Sequence, residues 1–319
     1  MDQKLKQAKN YNVDFCGKGE TYFGILILNW VLNAVTLGFY HPWAKEKRLK
    51  YLYSETTLDG SPFEFHGTGK EMFKGYITSI AVFLGLAVIF GLIYYAGFES
   101  IAFLFLVGVI LVIVPFAIHG SYRYRMSRTS WRGIRFGYRG NRKELMVNFL
   151  KWFGLTAITF GIYGSWFTIN LRKYTLQNIR LGNIKMGYEG NGGDYLILNI
   201  KGYFLTLFTL GIYGFWWQKE IIEYYINNLK MYKDEDELKI STNITGGELL
   251  KVAIVNLLII TFTFGIGTAW VEMRIMKFLL SSIQLEGTID LSTINQTEEI
   301  YKDATGEDME DMLDMDLVI

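Results

Sequence analysis

Three histidines and one cysteine are the side chains best suited to metal or nucleophilic chemistry in this chain, and their placement supports neither. His41, His66 and His119 show no spacing of the H-E-x-x-H kind, and Cys16 alone completes no zinc site and no intrachain disulfide. A single thiol also fits a reducing compartment. Gly17-Lys18-Gly19 and Gly67-Thr68-Gly69 could present backbone N–H groups to a phosphate, yet neither continues into G-x-G-x-x-G or G-K-[ST]. They read as turns. With no nucleophile–base pair in view, the sequence points to no enzyme and no cofactor.

Two other groups could engage a ligand. Asn29 and Asn33 lie four apart, on one face of a helix inside an uncharged stretch, and Asn148, Asn199 and Asn256 are comparable polar points. Amides at lipid depth either hydrogen-bond between helices, for ~0.6–2 kcal/mol, or line a polar path. The second group is cationic. Residues 120–151 carry nine basic side chains and one acid, and Arg123, Arg125, Arg128, Arg132, Arg135 and Arg139 read as a contact for anionic lipid headgroups, worth ~1 kcal/mol each near the surface. No nucleic-acid-binding motif accompanies them, so nucleic acid is not an expected partner. Lys151, Lys201 and Lys251 stand near the starts of apolar runs, placed to snorkel. Residues 272–319 reverse the sign, with 3 basic and 12 acidic side chains, and the part from 292 onward is expected to be a disordered tail.

The elements that must position these groups follow from how the charges are bunched. Half of the 319 residues are apolar and 16% are aromatic, while Lys and Arg (32) nearly balance Asp and Glu (31). Residues 21–44, 76–98, 100–121, 152–171, 202–218 and 252–271 nevertheless contain no charge at all. Uncharged apolar runs of roughly 17–25 residues are long enough to cross a bilayer as helices. The expected fold is an α-helical polytopic membrane protein with short β-strands between helices. The first run follows three lysines as in a signal peptide, but it is long, lacks a small-residue cleavage site and recurs as part of a repeat, so it reads as retained.

That repeat is the most informative pattern. T-L-G-F-Y-H-P-W begins at Thr36, T-F-G-I-Y-G-S-W at Thr159, T-L-G-I-Y-G-F-W at Thr209 and T-F-G-I-G-T-A-W at Thr263. In this corner motif Gly38, Gly161, Gly211 and Gly265 would let the chain turn. Tyr40, Trp43, Tyr163, Trp166, Tyr213, Trp216 and Trp270 would sit at the membrane–water boundary. Period-two alternation marks half-buried strands at Phe63/Phe65, Ile134/Phe136/Tyr138, Ile184/Met186/Tyr188, Leu238/Ile240 and Ile289/Leu291. About five degenerate units result, near 15–65, 66–138, 139–188, 189–242 and 243–291, within one membrane domain over 1–291. Residues 76–120 read as a transmembrane hairpin whose connector lacks Lys and Arg and should face outward. Two topologies stay open for the other helices. Either they re-enter, bending back at the corner so that all strands share the cytoplasmic face, or each unit crosses once. The repeated strand and basic flank favour re-entry.

F-C-G-K-G-E-T-Y-F from Phe15, T-L-G-F-Y-H-P-W-A from Thr36, R-L-K-Y-L-Y from Arg48 and L-D-G-S-P-F-E-F-H-G-T-G from Leu58 resemble the YjgN-like family of bacterial inner-membrane proteins. The likeness is strongest over 15–76 and continues more loosely to Leu291. It implies a multi-pass protein of the bacterial cytoplasmic membrane with no assigned activity, and it supplies no catalytic residues. This chain departs from longer members in having one double-span hairpin. Two functions fit: transport or permeation of a small solute, or a membrane-embedded structural or interaction protein, in either case with anionic lipid as partner and self-association allowed. A continuous polar cavity lined by Asn29 and Asn33 would favour the first, and a solid interior the second.

Overall fold

A computed structural model describes residues 8–297. The chain repeats one unit five times: a strand, two antiparallel helices and a returning strand. The first unit is β1 (Lys9–Phe15), α1 (Gly19–Val35), α2 (His41–Ser54) and β2 (Thr56–Leu58). The second is β3 (Ser61–Phe65), α3 (Gly69–Tyr95), α4 (Glu99–Ser127) and β4 (Thr129–Trp131). The third is β5 (Ile134–Tyr138), α5 (Arg142–Ile158), α6 (Gly164–Gln177) and β6 (Ile179–Leu181). The fourth is β7 (Ile184–Tyr188), α7 (Gly192–Phe208), α8 (Gly214–Asn227) and β8 (Leu229–Lys233). The fifth is β9 (Asp236–Thr242), α9 (Gly246–Phe262), α10 (Thr268–Ser281) and β10 (Ile283–Gly287).

All ten strands pair antiparallel with their neighbours, and β1 pairs with both β2 and β10, so the sheet closes into a barrel. This corrects the expected α-helical polytopic fold. The strands form a shared barrel, and among the described residues two helices, α3 and α4, are long and apolar enough to span a membrane by length and composition. The reason lies in the corner. Four of the six uncharged runs are not single helices, because the chain reverses in mid-run with two successive left-handed residues: Leu37 and Gly38, Phe160 and Gly161, Leu210 and Gly211, Phe264 and Gly265. Run length alone does not see a reversal.

Units join through tight turns. Asp59-Gly60 and Arg132-Gly133 each place two residues at positive φ, the geometry that matches strand twist in a two-residue hairpin. Because neighbouring strands alternate in direction, every odd strand runs the same way and every helix pair leaves from the same rim of the barrel. The helices then pack side by side in sequence, α10 closing onto α1.

Along each strand, apolar side chains alternate with polar ones such as Glu64, Lys185, Lys239 and Gln284, which are exposed. Tyr11, Leu58, Trp131, Leu181, Leu238 and Leu285, from six different strands, meet in one core cluster. Strands so far apart around the ring can share a cluster only inside the barrel. The interior is packed. Its turn end is closed by residues 288–297, which place Ile289, Leu291 and Ile294 in the same core. The alternation at Ile289 and Leu291 therefore does not make a strand: Leu291–Thr293 is a 3-10 turn, and the fifth unit's returning strand precedes it. Tyr11 donates its hydroxyl to the Ile289 carbonyl and accepts the Leu291 N–H, and Thr297 donates to the Gly182 carbonyl. Residues 298–319, most of the expected tail, lie outside the described part.

Candidate functional site

The ring of helix hairpins is the part of the molecule with no ordinary structural explanation in water. Its corners are built by one device. The threonine that opens each motif donates to the carbonyl four residues back and accepts the N–H four residues ahead. Thr159 bonds Leu155 O at 2.8 Å and receives Tyr163 N at 2.9 Å, and Thr36, Thr209 and Thr263 do the same. The hydroxyl thus ends one helix and starts the next, satisfying groups that helix termini leave open. Gly161, at φ 91°, then donates to Thr156 O at 2.8 Å.

The residue between threonine and glycine was missed by sequence reasoning. Leu37, Phe160, Leu210 and Phe264 sit at φ near 50° and are 87%, 98%, 95% and 95% exposed. A left-handed residue of this kind is normally glycine or asparagine, since a bulky side chain there is disfavoured by ~1–2 kcal/mol. Four repeats choose leucine or phenylalanine instead, at the outermost point of each hairpin. The signal was in the sequence as an apolar residue at a site that turn chemistry would make polar.

The corner tryptophans bind hairpin to hairpin. Trp43 lies against Gly69, Trp166 against Gly192, Trp216 against Gly246 and Trp270 against Gly19, each so close that an added Cβ would fall 2.3–2.5 Å from the indole. Tyr40, Tyr163 and Tyr213 stack on the tryptophan three residues later. The fifth junction departs from the pattern: α5 starts with Arg142, whose guanidinium lies 4.2 Å over the Phe116 ring of α4. A second repeated contact, also missed, is a tyrosine eight residues after the aromatic. Tyr51, Tyr174 and Tyr224 each accept the N–H and donate to the C=O of the residue that starts their own hairpin, Lys18, Asn141 and Asn191. Burial pushes the Tyr174 and Tyr224 phenols above their usual range.

The five asparagines do not gather into one polar surface. Asn29 is buried and donates to Ala44 O within its own hairpin, while its side-chain oxygen and that of Asn33 find no partner among the described residues. Asn256, also buried, accepts from Arg274 across α9 and α10, and Asn199 donates to Tyr195 O of its own helix. Asn148 is half-buried on α5. The arginines are likewise spread. Arg128 is buried, 3.2 Å from Glu71, and Arg125 is buried beside it on α4. Arg132 pairs with Asp59 and stacks on Trp131. The Arg135 N–H donates to Gln296, Arg139 N–H to Asn178 O, and Arg123 is half-buried on α4.

Two cavities flank the ring. One of about 580 Å³ opens between the last hairpin and the start of α1, lined by Thr263, Trp270 and Arg274 among others. The other, about 620 Å³ and almost wholly apolar, runs between α3 and α4. Neither is lined by Asn29 or Asn33. Among the described residues no group of three or more His, Cys, Asp or Glu side chains gathers. His66 Nε2 lies 2.7 Å from Ser130 Oγ and 3.6 Å from Glu64, but a relay needs hydroxyl and carboxylate on opposite ring nitrogens, and Ser130 is fully buried.

A closed, packed barrel with apolar hairpins rising from one rim and one span-length pair among them defines a membrane-associated architecture. Residues 10–188 and 217–312 match the family described as "Bacterial protein of unknown function (DUF898)", and the chain belongs to that family. It is 35% identical over 133 residues to Inner membrane protein YjgN of Salmonella typhimurium, covering 42% of this chain and 32% of that protein. It is 31% identical over 129 residues to the proteins of that name from Escherichia coli O157:H7 and K12, covering 40% of this chain and 31% of each. The chain thus spans about a third of the length of the curated relatives it matches. The YjgN-like resemblance read from the motifs is right, and it supports an inner-membrane location. No solved structure matches the chain.

Proposed function

We propose that this protein is a membrane-embedded scaffold, anchored across the inner membrane by α3 and α4 and gripping the cytoplasmic leaflet with its four shorter hairpins. The observation that carries this reading is the set of hairpin tips: Leu37, Phe160, Leu210 and Phe264 leave almost their whole apolar side chains uncovered, on the same side as the two span-length helices. In water each would forfeit roughly 1.5–3 kcal/mol of burial. In lipid each gains it. The shorter first helices have 17 residues, about 25 Å at 1.5 Å per residue, a depth that enters the hydrocarbon and ends in a turn whose backbone groups the threonine satisfies. On this reading the barrel stands in the cytoplasm, with its polar strand faces open to a protein partner.

Transport is the weaker reading. The barrel axis is filled by Trp131, Leu181 and Leu238, and Asn29, Asn199 and Asn256 bond within their own hairpins or helices. Among the described residues no catalytic constellation gathers to support an enzymatic reading. The test is depth. With Cys16 replaced by serine, a bimane probe on cysteine at position 160, 210 or 264 is expected to be quenched by lipids brominated in mid-chain and not by aqueous iodide. Iodide quenching at all three positions would end the proposal.

A further inference from the structure

We infer that the groove between α3 and α4 holds one acyl chain of an anionic phospholipid, whose phosphate is met at the barrel end by Arg142 and Arg123. This rests on the bilayer placement of α3 and α4 proposed above.

The two span-length helices border a groove of about 620 Å³, within the ~300–1,000 Å³ range of ligand pockets. Its walls run from Ser79 to Phe90 on α3 and from Phe105 to Ala117 on α4. That is about 17 Å of helix, at 1.5 Å per residue, in the direction a lipid tail takes. Apart from Ser79 its lining is aliphatic, aromatic or alanine, so it has nothing to offer a polar solute.

Charge selects the occupant. Phe116 lines the barrel end of the groove, and the Arg142 guanidinium lies 4.2 Å over its ring. Arg123 is seven residues on, on the same face of α4. Two cations therefore stand toward the barrel end of the groove. The repeat gives an independent reason to single out this place. Elsewhere a tryptophan seals the junction against a glycine, and here the glycine position carries an arginine and the tryptophan position a phenylalanine. A zwitterionic lipid would bring a competing cation to these arginines.

The test uses the full chain extracted in mild detergent and incubated with phosphatidylglycerol or with phosphatidylcholine of the same acyl chains, the retained lipid being counted by native mass spectrometry. Wild type is expected to retain one phosphatidylglycerol and to prefer it over phosphatidylcholine. Arg142→Gln should reduce that preference about fivefold, the equivalent of ~1 kcal/mol per basic residue, and Arg142→Lys should preserve it. Ala87→Trp, or Val109→Trp if the first does not fold, should abolish retention of both lipids by filling the groove. Equal retention of the two lipids by wild type, or undiminished retention in a folded groove-filling variant, overturns the inference. Aqueous quenching at 160, 210 and 264 would defeat the scaffold reading without altering this measurement, so the two fail separately.

Discussion

Trp270, in the last helix pair, lies against Gly19 at the start of the first, so near that a Cβ on residue 19 would sit 2.3 Å from the indole. This contact closes the ring of hairpins as β1–β10 pairing closes the barrel. Gly19→Ala, or Gly192→Ala against Trp166, should lower stability by about 1–3 kcal/mol through overpacking. Thermal unfolding in detergent measures it. An unchanged transition would mean that the junctions yield freely.

The hairpin tips trade stability for lipid contact. Phe160→Asn puts at φ 52° a residue that tolerates the left-handed region, so the detergent-solubilised protein should be as stable as wild type or more so, by up to ~1 kcal/mol. In the bilayer the same change should draw the α5–α6 tip toward the headgroups, read as reduced quenching by mid-chain brominated lipid. A loss of stability in detergent would show that the tip packs against protein.

Glu71 joins two structures. Its carboxylate completes the capping box of α3 with Thr68 and binds buried Arg128 at 3.2 Å. Glu248 completes the same box on α9 with Thr245. Glu248→Ala should therefore remove a cap alone, about 1 kcal/mol, and Glu71→Ala should remove in addition a charge-assisted bond worth about 1.5–3 kcal/mol. Equal losses would assign Arg128 no part in stability.

Acid should loosen the segment that closes the barrel's turn end. Hydrogen bonds from Lys9 and then Ser292 hold the Asp290 carboxyl well below the usual carboxylate range, and the bond to Asp290 raises Lys9. A depressed carboxylate contributes above its unfolded pKa of about 3.9 and loses the contribution as pH falls toward its folded value. A raised lysine contributes below its ordinary value and loses it only at strongly alkaline pH. Both groups are exposed, so the effect is local. Amide exchange at residues 288–297 should accelerate below about pH 4 relative to the strands. Asp290→Asn should show the faster exchange already at neutral pH.

What the sequence disclosed depended on range. The corner motif and the period-two strands β3, β5, β7 and β9 could be read because each is a local pattern of turn residues and alternation. The three-residue strands β2, β4 and β6 were invisible, being too short to show a period, and β1 was passed over beside the long run that follows it. Barrel closure joins Lys9 to Gly287, a pairing no local pattern records. The threonine of each corner was quoted as part of the motif without its role, which needs the reversal to be seen. The arginines of 120–151 were read as one charged surface, but Arg128 lies at the end of α4 facing Glu71 of α3, and net charge does not say which side a helix residue faces.

Sidedness of the barrel decides the central question most directly. In a Cys16→Ser background, single cysteines at Glu64, Lys185 and Gln284 place thiols on strands of the second, fourth and fifth units, and a cysteine at Glu99 reports the α3–α4 connector. An impermeant maleimide applied to intact spheroplasts is expected to label the connector alone, and all three strand sites are expected to label only in inverted membrane vesicles. Strand sites that split between the two preparations would place successive units on opposite sides of the membrane, and hairpins entering from one face could not be maintained.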